Sequence, residues 1–450
     1  MKKITFLALC LSASACITAA TIQVQADADL QAAINAASSG DWIYVQQGTF
    51  YGNFTMKDGV NIIGGWDADF QHQTQYGTIL DANGDGRVVT QPNVYFEKLT
   101  VWDNLTIQNG KLKSNGKGAG VLLYGNSRLT NCLIQNNTFD TLTVTNCEGG
   151  GLAQDYDDHA GDIIAEDCII RNNEATHGGG VWSRSTLNKC IIENNKTLQT
   201  HPGGGAHLQW GRLYNCIIRG NHSSEDAGGI RAYGNCKLIN CLVADNTCDG
   251  KVAGIALERT LDEVINCTVV NNDQKKTNSD KEYCGIRFDS DNADGNKFVN
   301  NVVWGNKAGG EVQNQQVSYC ICKYSGATNN AIQGNVPSDF TTPYINLKAD
   351  NTEEGGPKFV SPVDGDYTLA TGSPLIDAGL TTANPQEIDA AGHERINGTA
   401  IDLGCYEYIS GSTTGFESLN TQMKGNKVLR NGMLFILRDG KTYNVLGQEL

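Results

Sequence analysis

The chain is short of positive charge: 34 lysines and arginines stand against 49 acids in 450 residues, a formal net charge of −15. Such a surface repels nucleic acid, which needs a basic face, and it disfavours long-range capture of polyanions, leaving only a local basic strip able to hold one. Long apolar runs are also missing. Beyond residue 20 no stretch approaches the roughly 20 apolar residues of a membrane-spanning helix, so no transmembrane span is expected. Most runs between glycines and asparagines are too short even for an ordinary helix. They are rich in β-branched residues, and each reads as a strand of about four to six residues.

What fills the chain instead is a repeat. Cys132, Cys168, Cys190, Cys216, Cys241 and Cys267 fall in one column, with Asn301 in the next place, at intervals of 36, 22, 26, 25, 26 and 34 residues. Two positions on stand Ile134, Ile170, Ile192, Ile218, Val243, Val269 and Val303; five positions on stand Asn137, Asn173, Asn195, Asn221, Asn246, Asn272 and Asn306. A second column, Gly120, Gly151, Gly180, Gly205, Gly229, Gly254 and Gly285, precedes an apolar residue each time. Units of about 25 residues with two or three short strands fit a parallel β-helix, whose coils hydrogen-bond to one another about 4.8 Å apart. The asparagines then form a ladder in which each amide donates to one neighbour and accepts from the other. The glycines supply either a positive φ or room for close backbone approach. Fifteen cysteines would ordinarily suggest disulfides. Six of them in one column read instead as a reduced, buried stack, with Cys320 and Cys322 left as disulfide candidates.

In chain order, Met1 to Ala20 has two lysines, an apolar run and small residues at its end, the pattern of an export signal. Cleavage near Ala20 is the main expectation and lipidation at Cys16 its alternative; without Lys2 and Lys3 the charge becomes −17. Residues 21–95 hold the first coils, with Asp29 to Ala37 as an amphipathic helix capping the exposed core. Asp81 to Gly86 matches half of a calcium-loop pattern, but Pro92 stands where the closing acid belongs, so a glycine turn is expected. Residues 96–345 form the central coils, with inserts at Thr138 to Cys147, Asp155 to Asp162 and Asp273 to Tyr283. Residues 346–409 contain Gly365 to Leu369, Ser373 to Gly379 and Asp402 to Tyr408, expected to close the lower end of the stack. A Gly/Ser/Thr-bearing linker, 410–420, leads to a small β tail, 421–450. That tail is too short for the eight or more strands of a membrane barrel.

The repeats resemble those of right-handed parallel β-helix proteins of the pectate-lyase-like class. Their I-x-x-N and glycine motifs are similar to the F-x-x-N and G-G-A-I motifs of the polymorphic outer membrane protein repeat. SPLIDAG and DLGCYEY resemble the closing segment of the choice-of-anchor Q family of exported bacterial proteins. GMLFILRDGKTYNVLGQEL is similar to C-terminal segments of Bacteroidota surface proteins linked to type IX secretion. The resemblance implies an all-β solenoid with a helical cap and β tail, extracellular or on the outer surface of a Gram-negative bacterium. It says little of activity, because many functions share this scaffold.

Function is therefore sought on the outside of the coils. If the residue after each column glycine points inward, alternation turns the second and fourth outward. These stripes read Leu122, Ala153, Trp182, His207, Arg231, Ala256, Arg287 and Tyr124, Asp155, Arg184, Gln209, Tyr233, Glu258, Asp289. Aromatics offer sugars a flat apolar platform, and guanidinium and carboxylate groups supply directional hydrogen bonds. Trp182, Arg184, His207, Arg231, Tyr233 and Arg287 are the candidate ligand-binding residues, and the expected partner is a glycan or a host or neighbouring-cell surface bound by a monomer. The competing reading is a solvated sheet face with cross-rung pairs such as Arg231 with Glu258.

Enzymatic alternatives use the same stripe. A polysaccharide lyase would need a base such as Arg184, Arg231 or Arg287, with Asp155, Asp157 and Asp158 as the nearest metal-capable cluster, yet no lyase signature matches residue by residue. A glycoside hydrolase could draw on Asp155, Glu258 and Asp289, but nothing selects a pair. No cofactor is required; calcium is the ion that Asp155, Asp157, Asp158, Asp289, Asp291 and Asp294 would take. His159, His177, His201, His207 and His222 show no recurring metal-ligand spacing. Arg171, Glu193 and Arg219 alternate in sign and read as a surface ion-pair ladder. A purely structural surface protein is the remaining alternative.

Overall fold

Each apolar run pairs in register with the equivalent run one coil away. In the computed structural model these runs form three long sheets whose internal pairings are all parallel. The structure describes residues 19–155, 162–199, 201–259, 261–275, 285–288, 296–317, 326–336, 340 and 342–410, with the backbone of 426–430, 433–438 and 441–444. The first sheet has twelve strands, from Thr21–Val24 to Ala327–Thr328; the second has twelve, from Gly48–Tyr51 to Tyr344–Leu347; the third has nine, from Phe54–Thr55 to Ile286–Phe288. Successive strands, such as Ser127–Thr130, Leu133–Gln135 and Leu152–Gln154, enter different sheets, so the chain coils rather than meanders. Most of the segment read as an export signal, all but the first residue of the expected linker, Cys320 and Cys322 lie outside the described residues.

Both sequence columns have a physical cause. The asparagine amides form an unbroken ladder: Nδ2 of Asn137, Asn173, Asn195, Asn221, Asn246 and Asn272 each donates to Oδ1 of the next, at 2.9 to 3.0 Å. The ladder ends on Gln316, which receives Asn306 at 2.7 Å. Each Nδ2 also donates to a carbonyl, as Asn195 does to Ile170 at 2.9 Å, and each Oδ1 also accepts a backbone N–H, as Asn195 does from Asn173 at 3.0 Å. A buried amide with every hydrogen-bonding site used in this way ties three coils together. The glycine column faces the ladder. A Cβ on Gly180 would lie 2.7 Å from Asn195 Nδ2, and one on Gly205 2.9 Å from Asn221 Nδ2. Of the two reasons offered for these glycines, close approach is therefore the operative one; the positive φ belongs to the earlier glycines Gly118, Gly149, Gly178 and Gly203.

The residue before each column cysteine, and before Asn301 in the next place, makes another sharp turn. Asn131, Asp167, Lys189, Asn215, Asn240, Asn266 and Asn300 all adopt the left-handed region, with φ from 49° to 59°, a conformation asparagine tolerates better than most residues. The cysteines that follow are buried with the inward leucines, isoleucines and valines. All ten described cysteines are buried and unbridged. At the N-terminal end the helix Leu30–Ala36, capped by the Asp29 carboxylate accepting the Ala32 N–H at 3.0 Å, buries Leu30 and Ile34 against the first coils. Among the described residues no helix is long and apolar enough to cross a membrane.

The closing segment does not sit where the sequence placed it. Instead of plugging the lower end, it lies along the outward side of the second sheet. That side is apolar over Ile191, Ile217, Leu242, Val302 and Ala331, which pack with Phe359, Tyr367, Leu375, Leu403 and Tyr406. The turn asparagines fasten it: Asn240 Nδ2 donates to Ile388 O at 2.8 Å and Asn266 Nδ2 to Asp402 O at 2.9 Å. Inside the segment, buried Arg395 lies 3.0 Å from Glu407 and donates to the carbonyls of Asp402 and Gly404. An apolar sheet face left in water would cost about 25 cal/mol per Å², which is the reason the segment turns back along the stack. The tail forms a three-stranded antiparallel sheet, Asn426–Arg430, Met433–Arg438 and Lys441–Asn444.

Asn195→Ala leaves donors and acceptors unmet on three coils and should cost about 2–4 kcal/mol in denaturant unfolding; Gly180→Ala, which strikes the same ladder, should also be strongly destabilising. A loss below about 0.5 kcal/mol for Asn195→Ala would remove the ladder from its central place. The ten buried cysteines should resist a thiol reagent in the native protein and react after denaturation; native reactivity of most of them would contradict the closed core.

Candidate functional site

The outward stripe of the third sheet exists in the expected register. Leu122, Ala153, Trp182, His207, Arg231, Ala256 and Arg287 are successive neighbours across parallel strands. Its surface character is different from the expectation. Trp182 is 2% exposed, His207 3% and Arg287 9%, and Leu122, Ala153 and Ala256 are buried. The cause is the turn before each strand, which folds back across its outward side. Lys117, Glu148, His177 and Asp226, each three residues before a column glycine, form a second layer. Lys117 Nζ sits 4.1 Å from the centre of the Trp182 ring, and Trp182 packs with Leu122, Ala153 and Tyr124. Trp182 is therefore a packing residue and not an open platform.

The other candidates are drawn into the same layer. His177 and His201 stack with ring centres 3.9 Å apart, and His207 lies 5.9 Å from His177. Burial holds His207 far below the usual imidazole range, with the Arg231 charge adding to it, and its two ring nitrogens have no hydrogen-bond partner among the described residues. Burial likewise pushes His177 down to about 4. Arg231 makes a two-pronged pair with Glu258, Nε at 2.8 Å and Nη2 at 2.5 Å. Arg287 lies 2.5 Å from Asp226. Asp155 pairs with Lys117 at 2.6 Å, and Lys117 also lies 3.3 Å from Glu148. Asp157, Asp158, Asp289, Asp291, Asp294 and His159 lie outside the described residues. Among the described residues no three histidine, cysteine or acidic side chains converge as metal ligands. In the ion-pair ladder, Arg219 meets Glu193 at 2.8 Å while Arg171 turns to Gln135 at 3.1 Å.

Among the described residues, an exposed aromatic stands at the corner where the third sheet turns toward the first. Trp210, left-handed at φ 57° and 43% exposed, follows the outward Gln209. The Arg184 guanidinium lies 5.3 Å from the Trp182 ring and 5.2 Å from the Trp210 ring, linking the buried indole to the exposed one. Its Nη2 donates to Gln209 Oε1 at 2.9 Å. One coil on, Tyr233 pairs in register with Gln209. Arg259 lies 4.3 Å from the Tyr233 ring and donates to its hydroxyl, while Arg231 lies 5.5 Å from the same ring. The corner thus joins Arg184 and Tyr233, two of the expected residues, to Trp210 and Arg259, which the alternation rule passed over. Both follow the fourth outward position, and a large aromatic at a left-handed turn was the available signal.

A family model described as the right-handed β-helix region matches residues 102–273. Among solved structures, the chain is similar to the pectate lyase Pel9A, at 13% identity over 87% of this chain and 97% of that one, with a TM-score of 0.40. It is similar to the A-module of the mannuronan C-5 epimerase AlgE6 of Azotobacter vinelandii, at 12% identity over 71% and 91% and a TM-score of 0.37. It is also similar to a tailspike protein of the Acinetobacter baumannii bacteriophage Fri1, a capsular polysaccharide depolymerase, at 16% identity over 72% and 57% and a TM-score of 0.37. No curated protein matches the chain. The sheets and the family match make this an all-β protein, a right-handed parallel β-helix with an N-terminal helical cap.

The histidines kept neutral by burial have a pH consequence. Because burial lowers His177 from 6.5 to about 4, the unfolded chain takes up its proton first as the pH falls, and stability drops through that window. His207 shifts in the same direction. Unfolding midpoints measured between these limits should decline more steeply in the parent than in His177→Phe/His207→Leu; identical slopes would show that these histidines do not govern acid stability.

Proposed function

We propose that this chain is an exported recognition protein that binds an extended glycan along the corner formed by Arg184, Gln209, Trp210, Tyr233 and Arg259. The observation that carries the reading is the exposed Trp210 ring with Arg184 against it, followed one coil later by Tyr233 with Arg259 against it. Cation-backed aromatics on neighbouring coils give a sugar chain flat apolar surfaces held in fixed orientation. Amide, hydroxyl and guanidinium groups beside them supply directional hydrogen bonds to sugar hydroxyls. A rigid parallel stack keeps these groups in place before the ligand arrives, which limits the ordering cost of binding.

The alternative of a lyase assigns proton abstraction to Arg184, Arg231 or Arg287. Arg231 is held in two bonds to Glu258 and Arg287 lies against Asp226, so these two would have to leave carboxylate partners before meeting a substrate. Those pairings support recognition over catalysis at the stripe. On a glycan array, Arg184→Ala/Trp210→Ala should lose at least about tenfold in retention, the equivalent of roughly 1.4 kcal/mol, while keeping the parent's unfolding midpoint within error. Unchanged retention would move the site elsewhere. New ultraviolet absorbance from an unsaturated product on incubation with polyuronates and calcium would instead support the lyase reading.

A further inference from the structure

Resting on the recognition reading, we infer that the corner selects sugars bearing an exocyclic carbonyl oxygen, in an acyl group or a uronic carboxyl, over sugars whose exocyclic groups are all hydroxyls. The corner offers hydrogen-bond donors while its acceptors are engaged. Gln209 Oε1 already accepts from Arg184 Nη2 at 2.9 Å. The Tyr233 oxygen accepts from Arg259 Nη2, and the two oxygens of Glu258 accept from Arg231 at 2.8 and 2.5 Å. On the donor side, Gln209 Nε2, the Trp210 indole Nε1 and the Nε and Nη1 of Arg259 have no hydrogen-bond partner among the described residues. These groups come from three successive coils and meet over Gly234. A Cβ there would lie 3.5 Å from Arg259 Cδ and 3.8 Å from Trp210 Nε1. The bare glycine, at φ 74°, lets the indole of one coil and the arginine stem of another share one patch of surface.

A sugar hydroxyl can accept from these donors, but its own proton must then find an acceptor, and each acceptor beside it already holds a guanidinium. Left unmet at a closed contact, that proton weakens binding. A carbonyl or carboxylate oxygen brings two lone pairs and no proton. It can take the Trp210 Nε1–H and an Arg259 N–H together and leave no group of its own unpaired. Donors that lose water on binding and gain nothing in return also count against a ligand that lacks the acceptor, which is how a polar site rejects an analogue. The methyl of an acyl group, or the ring face beside a carboxyl, can meet Trp210 and Tyr233. The donor set serves both sources of the oxygen. Arg259 adds a charge-assisted bond for the carboxylate, so the response to salt separates the two.

The test is titration calorimetry of the full chain with oligosaccharides of equal length in pairs matched for linkage: N-acetylated chito-oligosaccharides against cello-oligosaccharides, and oligogalacturonates against their carboxyl-reduced galactose counterparts. At least one carbonyl-bearing member should bind about tenfold or more tighter than its hydroxyl-only partner. A preference for the acyl group should persist at high sodium chloride, and a preference for the carboxylate should shrink there. Trp210→Phe, which keeps a ring and removes the indole N–H, and Arg259→Met, which removes the guanidinium, should each lower the preference several-fold. A preference unmoved by both would show that the rings alone carry binding and would overturn the inference. Equal or tighter binding of both hydroxyl-only members would overturn it as well, with glycan recognition left standing. Where none of the four binds, the glycans retained on an array decide: ligands without a carbonyl oxygen overturn the inference, and no retention at all sinks the recognition reading with it.

Discussion

One buried hydrogen-bond chain sets the terms for the rest of this structure. From Asn137 to Asn306 each side-chain amide donates to the next and accepts from the one before, with the remaining sites filled by backbone groups. Because an unmet buried amide is expensive, each coil is obliged to place its asparagine at one height and in one orientation. The facing strand must then begin with glycine, since a Cβ at Gly151 or Gly180 would fall 2.7 Å from the ladder. Once that glycine is placed, the alternation of the third sheet follows, and with it the inward Val181 and outward Trp182.

The outward sides of the coils differ in how they meet water. The second sheet turns apolar residues outward, and the closing segment covers them. The third sheet turns out a mixture of aromatic, imidazole and guanidinium groups, and the preceding turns cover these with Lys117, His177 and Asp226. A glycine-rich turn with positive φ can double back closely enough to do this. The result is a two-layer face: internally paired charges beneath, and at its edge a corner where Trp210 and Tyr233 remain accessible. That corner is where the covering turns stop and an aromatic ring meets solvent.

Much of the fold was legible because in-register stacking repeats one chemical demand at every coil. The cysteine, asparagine and glycine columns each correspond to one observed contact pattern, and the cross-rung pair of Arg231 with Glu258 is present as read. The site was legible only in part. Alternation correctly turned Trp182 and His207 out of the core but could not report that a turn lies over them. Trp210 was passed over for the opposite reason: it belongs to the corner, where the period of two ends and a left-handed residue redirects its side chain. A period describes direction within a strand and carries no information about what a neighbouring turn adds.

The sequence by itself determined the coil: its repeat length, its strand register, its inward residues and the ladder that ties the rungs, because each depends on contacts between equivalent positions. Only the tertiary structure decided which outward residues reach solvent. That choice rests on contacts between positions that are not equivalent: Lys117 over Trp182, Asp226 against Arg287, and Asn240 and Asn266 against a segment more than 130 residues later. Such pairings follow from the path of turns and of the returning chain, and no column in the repeat encodes them.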